Sequence, residues 1–212
     1  MKFLLAIPLL FVYFFSSAQP FEGQITYQNS YKSKVPGVSN KDYADMYGKS
    51  YVYSIKEGDY KIVTSNGMIN WQLYINKDNK IYNKIANAEA IVWIDGRQNF
   101  DSIISTEIKK NATEVLGYAC DELTIICKNS IEKYYFSSYL PVDISKFTQH
   151  LYGHWYDYLK VSATIPLKTI TENDQFVTTS TVTNVKEMKL SESLFQLPRN
   201  AKIEKIKLDP KY

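Results

Sequence analysis

The sequence predicts a mainly β protein: a single strongly curved antiparallel sheet, or incomplete barrel, with one main helix covering the concave face. Three observations point there. Apolar and polar residues alternate in short runs divided by turn-forming residues. The chain carries 18 Tyr beside 10 Phe and 3 Trp, and aromatic side chains favour pleated, half-buried surfaces. Only one stretch leaves period two for helical spacing. Strands joined by short turns build a meander, and that one helix is what remains to cover it.

Residues 21–31 read as the first strand. Ser39-Asn40 ahead of residues 41–47 reads as an N-capped short helix, stopped by Gly48. Tyr51, Tyr53 and Ile55 then alternate, Glu57-Gly58-Asp59 turns, and Tyr60 and Ile62 continue on a second strand. Asn66-Gly67 is the strongest short hairpin signal in the chain. After it Ile69, Trp71, Leu73 and Ile75 alternate with Asn70, Gln72, Tyr74 and Asn76, which predicts one apolar and one polar face. Residues 77–80 turn, 81–85 and 90–94 are short strands, and Asp95-Gly96 ends the second. Segment 103–109 alternates weakly, 111–114 turns, and 115–127 and 131–137 form a hairpin around 128–130. Beyond Pro141, Ile144, Phe147, Leu151, Trp155 and Leu159 recur at helical spacing, with Asp143 as N-cap and Gly153 as a weak point. Strands return at 165–171 and 176–186, a helical turn at 191–195, and a last alternating segment at 203–208.

The N-terminus carries Lys2, an unbroken apolar run over residues 3–15, and Ser16-Ser17-Ala18. That is the layout of a cleavable signal peptide over residues 1–18. A membrane span needs about 20 apolar residues, more than this run supplies. Position 19 is Gln19, where a bacterial lipoprotein needs cysteine. The expectation is an unlipidated mature chain, one domain over 19–212, in the periplasm or cell exterior. A formal charge of +3 without a basic patch or binding motif argues against nucleic acid as a partner.

Cys120 and Cys127 stand seven residues apart. On one extended strand that separates their Cα atoms by about 23 Å and points them to opposite faces, beyond the reach of a disulfide. Both are expected as unpaired, buried thiols.

Several local features line up in order: residues 19–27 (Gln-Pro-Phe-Glu-Gly-Gln-Ile-Thr-Tyr), Val115-Leu-Gly-Tyr-Ala-Cys120, Tyr134-Tyr-Phe-Ser-Ser-Tyr-Leu-Pro141 and Ser191-Glu-Ser-Leu-Phe-Gln-Leu-Pro198. This succession resembles the exported Bacteroidota families similar to the lipoprotein carrier LolA. The resemblance implies an incomplete β barrel with helical cover and an envelope location; no lipid-contacting residue of the carriers matches a position here. The motifs also have structural readings, with Gly117 as a bulge glycine, Pro141 as a strand stop, and Phe195 and Leu197 as core plugs.

No Gly-x-Ser-x-Gly elbow and no phosphate-binding glycine loop is present, so no enzymatic activity and no cofactor are expected. The two histidines, His150 and His154, would share a helix face and could hold a metal with Asp157, although Leu151 stands where a zinc protease needs Glu. The leading expectation is a binding or carrier module for a lipid or other apolar small molecule. Its candidate ligand contacts are Tyr53, Trp71, Leu73 and Ile75 on the sheet, with Phe147, Leu151 and Trp155 on the covering helix. The alternatives are a structural or interaction protein of the cell envelope using exposed tyrosines and, behind it, a metal-dependent enzyme built on His150, His154 and Asp157. The half barrel can be filled by its own side chains or leave a cavity.

Overall fold

The computed structural model describes residues 19–206; the signal-peptide expectation falls on residues 1–18, outside them. In chain order the elements are β1 (Gly23–Ser33), α1 (Asn40–Tyr47), β2 (Ser50–Lys56), β3 (Asp59–Thr64), β4 (Ile69–Ile75), β5 (Lys80–Ile85) and β6 (Ile91–Asp95). They continue with β7 (Ile103–Val115), β8 (Tyr118–Cys127), β9 (Ile131–Phe136), α2 (Trp155–Ser162), β10 (Lys168–Glu172), β11 (Phe176–Glu187) and β12 (Ile203–Lys205). All twelve strands belong to one sheet in the order β12-β6-β5-β4-β3-β2-β1-β11-β10-β9-β8-β7. Every pair is antiparallel except β12 with β6. The end strands β12 and β7 do not pair, so the sheet is not closed into a barrel.

The sheet is nonetheless strongly curled. Tyr74 and Ile81 of β4 and β5 share one buried cluster with Leu123, Ile125 and Cys127 of β8. Laid flat, β5 and β8 would lie eight strand spacings apart, about 38 Å, and only wrapping brings their side chains into one core. A second cluster packs on the opposite face of β4–β6, where Leu73, Tyr82 and Ile91 meet Leu190 and Phe195 of the C-terminal segment. Glu22 fastens that segment by accepting from Leu190 N at 2.7 Å and pairing with Lys189 at 3.0 Å.

Two turns decide which side chains face which core. Glu57 and Gly58 both adopt positive φ, 48° and 95°, the signature of a two-residue type I′ turn. They fix Lys56 opposite Asp59, hence Ile55 opposite Tyr60 and Tyr53 opposite Ile62. Asn66-Gly67 does not form the matching tight turn. Its loop seats on α1 through Met68 N to Met46 O at 2.7 Å, and β3 pairs β4 as Tyr60 with Tyr74 and Ile62 with Gln72. A tight Asn-Gly turn would have paired Ile62 with Trp71. The one-residue difference in register moves every β4 side chain to the other face. Tyr74, on the face that alternation marks as polar, is buried in the main core, while Leu73 is buried in the outer one.

The covering helix is not continuous. Residues 144–162 form a 3-10 turn at Ile144–Phe147 capped by Asp143, a second at Tyr152–His154, and then α2. Gly153 and His154 adopt left-handed φ of 60° and 54°, and Leu151 N and Tyr152 N both donate to Gly96 O, at 2.7 and 2.9 Å. This tertiary anchor overrides the helical period. The expected turn at 111–114 is instead an irregularity inside the long strand β7, with Asn111 at φ 51°. The turn itself is Leu116-Gly117, at φ 52° and 80°, joining Val115 to its partner Tyr118. Both cysteines are unpaired and buried, as expected. They enter the same core and not opposite faces, because strict alternation breaks down beside the irregular stretch of β7.

Candidate functional site

The concave face carries a ladder of aromatic rings. Tyr27 stacks on Tyr51 with centroids 4.6 Å apart, Tyr53 on Tyr60 at 5.1 Å, and Tyr60 on Tyr74 at 5.2 Å. Antiparallel pairing of β1 with β2 and β2 with β3 stacks these rings across strands. From the other side Trp155, at the start of α2, reaches Tyr60 edge-on at 6.5 Å.

Between these two walls lies a cavity of about 130 Å³ lined by Tyr27, Tyr51, Tyr53, Tyr60, Ile62 and Trp155, with Ile165, Pro166 and Thr169 at its side. The hollow is half open to solvent and large enough for a small apolar group. Ile62 also lines a second hollow of about 190 Å³, bounded by Met46, Tyr47, Thr64, Met68, Ile69 and Gln72. The two hollows share a wall and follow β3 from Tyr60 toward Thr64. Four rim residues are large, apolar and exposed: Met46 by 39%, Tyr47 by 44%, Met68 by 52% and Ile69 by 40%. An exposed apolar patch continuous with a cavity is the surface expected of a binding site and not of an idle exterior.

Burial governs the electrostatics. It pushes the hydroxyls of Tyr27, Tyr53 and Tyr60 well above the ordinary phenol range. It holds the His150 imidazole down at about 3, so this ring is neutral at physiological pH. Tyr60 Oη and His150 Nε2 share a hydrogen bond of 2.8 Å. Tyr53 Oη, His150 Nδ1 and Trp155 Nε1 are buried and have no hydrogen-bond partner among the described residues.

Of the residues expected to contact ligand, Tyr53 and Trp155 meet at the cavity. Phe147 is buried beside Tyr74 and His150 and lines a separate cleft near Phe21 and Lys146. Leu151 is half-buried and tied to Gly96. Trp71, Leu73 and Ile75 lie in the outer core under Leu190 and Phe195, so the expectation that they share the concave face is corrected by the β3–β4 register. Tyr27, Tyr51, Tyr60 and Ile62 escaped sequence reasoning. The Glu57-Gly58 turn was the signal that could have found three of them, since it alone sets the facing of β2 and β3.

The histidine arrangement also differs from expectation. Without a helix through 150–154 the two rings part: His150 meets β3 and β4, whereas His154 Nε2 lies 3.2 Å from Cys127 Sγ on β8. Both are 1% exposed. Among the described residues no group of three His, Cys, Asp or Glu side chains is placed to hold a metal. His154 Nδ1 contacts Asn99 Nδ2 at 2.8 Å and lies 3.8 Å from Asp157 Oδ2. Thiol, imidazole and amide in series have the order of an activated nucleophile. Burial, with the carboxylates of Glu132, Asp101 and Asp157, pushes the Cys127 thiol up to about 11. At neutral pH it is protonated and serves as a core contact.

No protein-family model and no curated protein matches the sequence. Solved structures similar to this chain include PNGF-II, at TM-score 0.43 and 15% identity over 86% of this chain and 31% of that one. This chain thus spans about a third of PNGF-II. A LolA superfamily protein from Nitrosomonas europaea is similar at TM-score 0.42 and 8% identity, over 84% of this chain and 90% of that one. LprF from Mycobacterium bovis is similar at TM-score 0.35 and 9% identity, over 80% and 88%.

Proposed function

We propose that the protein is an exported, non-catalytic binding or carrier module that holds a lipid or other apolar small molecule in the groove on its concave face. The observation that carries this reading is the continuity of apolar lining, from the half-open cavity at Tyr53 and Trp155, across Ile62, to the exposed rim at Met46 and Met68. Methionine side chains at a rim accommodate chains of varied shape. Each methylene that leaves water for the groove contributes about 0.8 kcal/mol, so even a short chain offsets part of the cost of association. Export rests on the N-terminal sequence, with removal of residues 1–18 leaving a periplasmic or secreted chain over 19–212. Among the described residues no helix is long and apolar enough to cross a membrane.

Trp71 and Trp93 pack at the outer core, which leaves Trp155 as the indole in the groove. A Trp71→Phe, Trp93→Phe protein freed of lipid should therefore bind a medium-chain lipid saturably, with a blue shift of Trp155 emission. Ile62→Asp, at the shared wall, should lower affinity at least tenfold with little change in melting temperature, since Ile62 is only half-buried. Absence of saturable binding in the parent protein would refute the reading. Intact mass of protein recovered from the envelope tests export, with Gln19 as the expected first residue.

A further inference from the structure

We propose that the groove selects uncharged ligands bearing a hydrogen-bond acceptor, such as an ester carbonyl or ether oxygen, over ionised fatty acids and phosphates. This rests on the binding function proposed above and names the ligand class. Every side chain lining the inner cavity is neutral, with tyrosine the commonest. The lysines nearest along the strands are engaged elsewhere, Lys61 over the Trp71 ring at 5.1 Å and Lys168 over the Tyr135 ring at 5.1 Å. An anion placed here would lose its hydration and meet no cation, which strongly disfavours burial.

Two lining residues carry unpartnered polar atoms. Tyr53, 5% exposed, has a buried hydroxyl without a partner among the described residues, and Trp155 has a buried indole N–H in the same state. Indole nitrogen is a donor only, and a phenol can donate. An oxygen acceptor on the ligand would answer one or both donors; a pure hydrocarbon would leave them unpaired. Two other hydroxyls on the ladder are committed, Tyr27 to Pro166 O at 2.6 Å and Tyr60 to His150 at 2.8 Å. His150, behind Tyr60, is uncharged and adds no attraction for an anion.

The test compares three ligands of one chain length on the mature protein at pH 8: methyl decanoate, decanoate and decane, each by competition against a neutral fluorescent lipid. The ester should bind at least tenfold more tightly than the carboxylate and several-fold more tightly than the alkane. Tyr53→Phe should shrink the ester's advantage over decane, and combined with Trp155→Phe should erase it, the readout being the ratio of ester to decane affinity within each protein. Tyr53→Phe keeps the ring and removes only an unpartnered hydroxyl, whereas Trp155→Phe also shortens the ring, which is why the ratio within each protein is read; circular dichroism and melting temperature check that both fold. Decanoate binding as tightly as the ester, or decane doing so, overturns the inference while leaving the groove intact as a binding site. Failure of all three and of the probe overturns the binding function itself.

Discussion

Tyr60 shares its hydroxyl's hydrogen bond with a histidine that burial keeps uncharged, and this couples folding to pH. The unfolded chain protonates His150 at the ordinary imidazole value of 6.5, the folded one at about 3. Above 6.5 both states are neutral and stability is complete. As pH falls below that, the unfolded state takes up the proton first, and stability drops by about 1.4 kcal/mol per unit until the folded value is reached. Urea unfolding at pH 6.5 and pH 5 should show this loss, and His150→Gln should remove most of it. Glu132, whose carboxyl burial pushes up, acts in the opposite sense but is common to both proteins, so the comparison cancels it. The thiols give a second measurement. Cys120 and Cys127 should resist alkylation in the native protein and react fully once it is denatured, since both are buried and unpaired. Their reduced state was legible from spacing along one strand. The burial of the histidines was not, because it depends on Gly96, a residue more than 50 positions upstream in the chain, capturing Leu151 and Tyr152.

α1 was legible because its signals are local: Ser39 accepts from Asp42 N, Asp42 accepts from Ser39 N, and Gly48 ends the helix at φ 88°. The strands were legible from alternation, but their facing was not, since facing depends on loop geometry. Glu57-Gly58 kept the tight turn, whereas the Asn66-Gly67 loop traded it for contact with α1. Hence the concave wall was only half identified, through Tyr53 and Trp155. β7 is a different case, an edge strand with Ile104 69% and Ile108 54% exposed. Such an edge invites pairing between chains, and lysines are one means of blunting it. Ile104→Lys with Ile108→Lys should change unfolding free energy by less than about 0.5 kcal/mol each, as surface substitutions do, and raise the concentration at which light scattering detects self-association.

At the scale of the molecule, the curled sheet has a core on each face, and the two cores carry different duties. The concave core surrounds the groove; the outer one, sealed by residues 188–201, only stabilises β4–β6. Leu73→Ala should therefore cost about 2–5 kcal/mol, as for other fully buried leucines, and leave lipid affinity unchanged in titrations performed well below its melting temperature. A curved sheet with helical cover follows from many short strands and few helical residues. That both faces would be covered does not, because one segment near the C-terminus, with Leu190 and Phe195, supplies the second layer.

The stretch from Phe147 to Tyr158 crosses the open side of this sheet, gripping β3 and β4 through His150 and β8 through His154. Mechanically it is a tie rod. Strands β4 and β8 cannot splay unless one of those grips slips, so the width of the trough is held by the five residues from His150 to His154. The hollow beside Met46 and Met68 lies beyond the tie, along β3 toward Thr64. On the binding function proposed above, a molecule longer than the inner cavity would extend toward that side, away from the braced end.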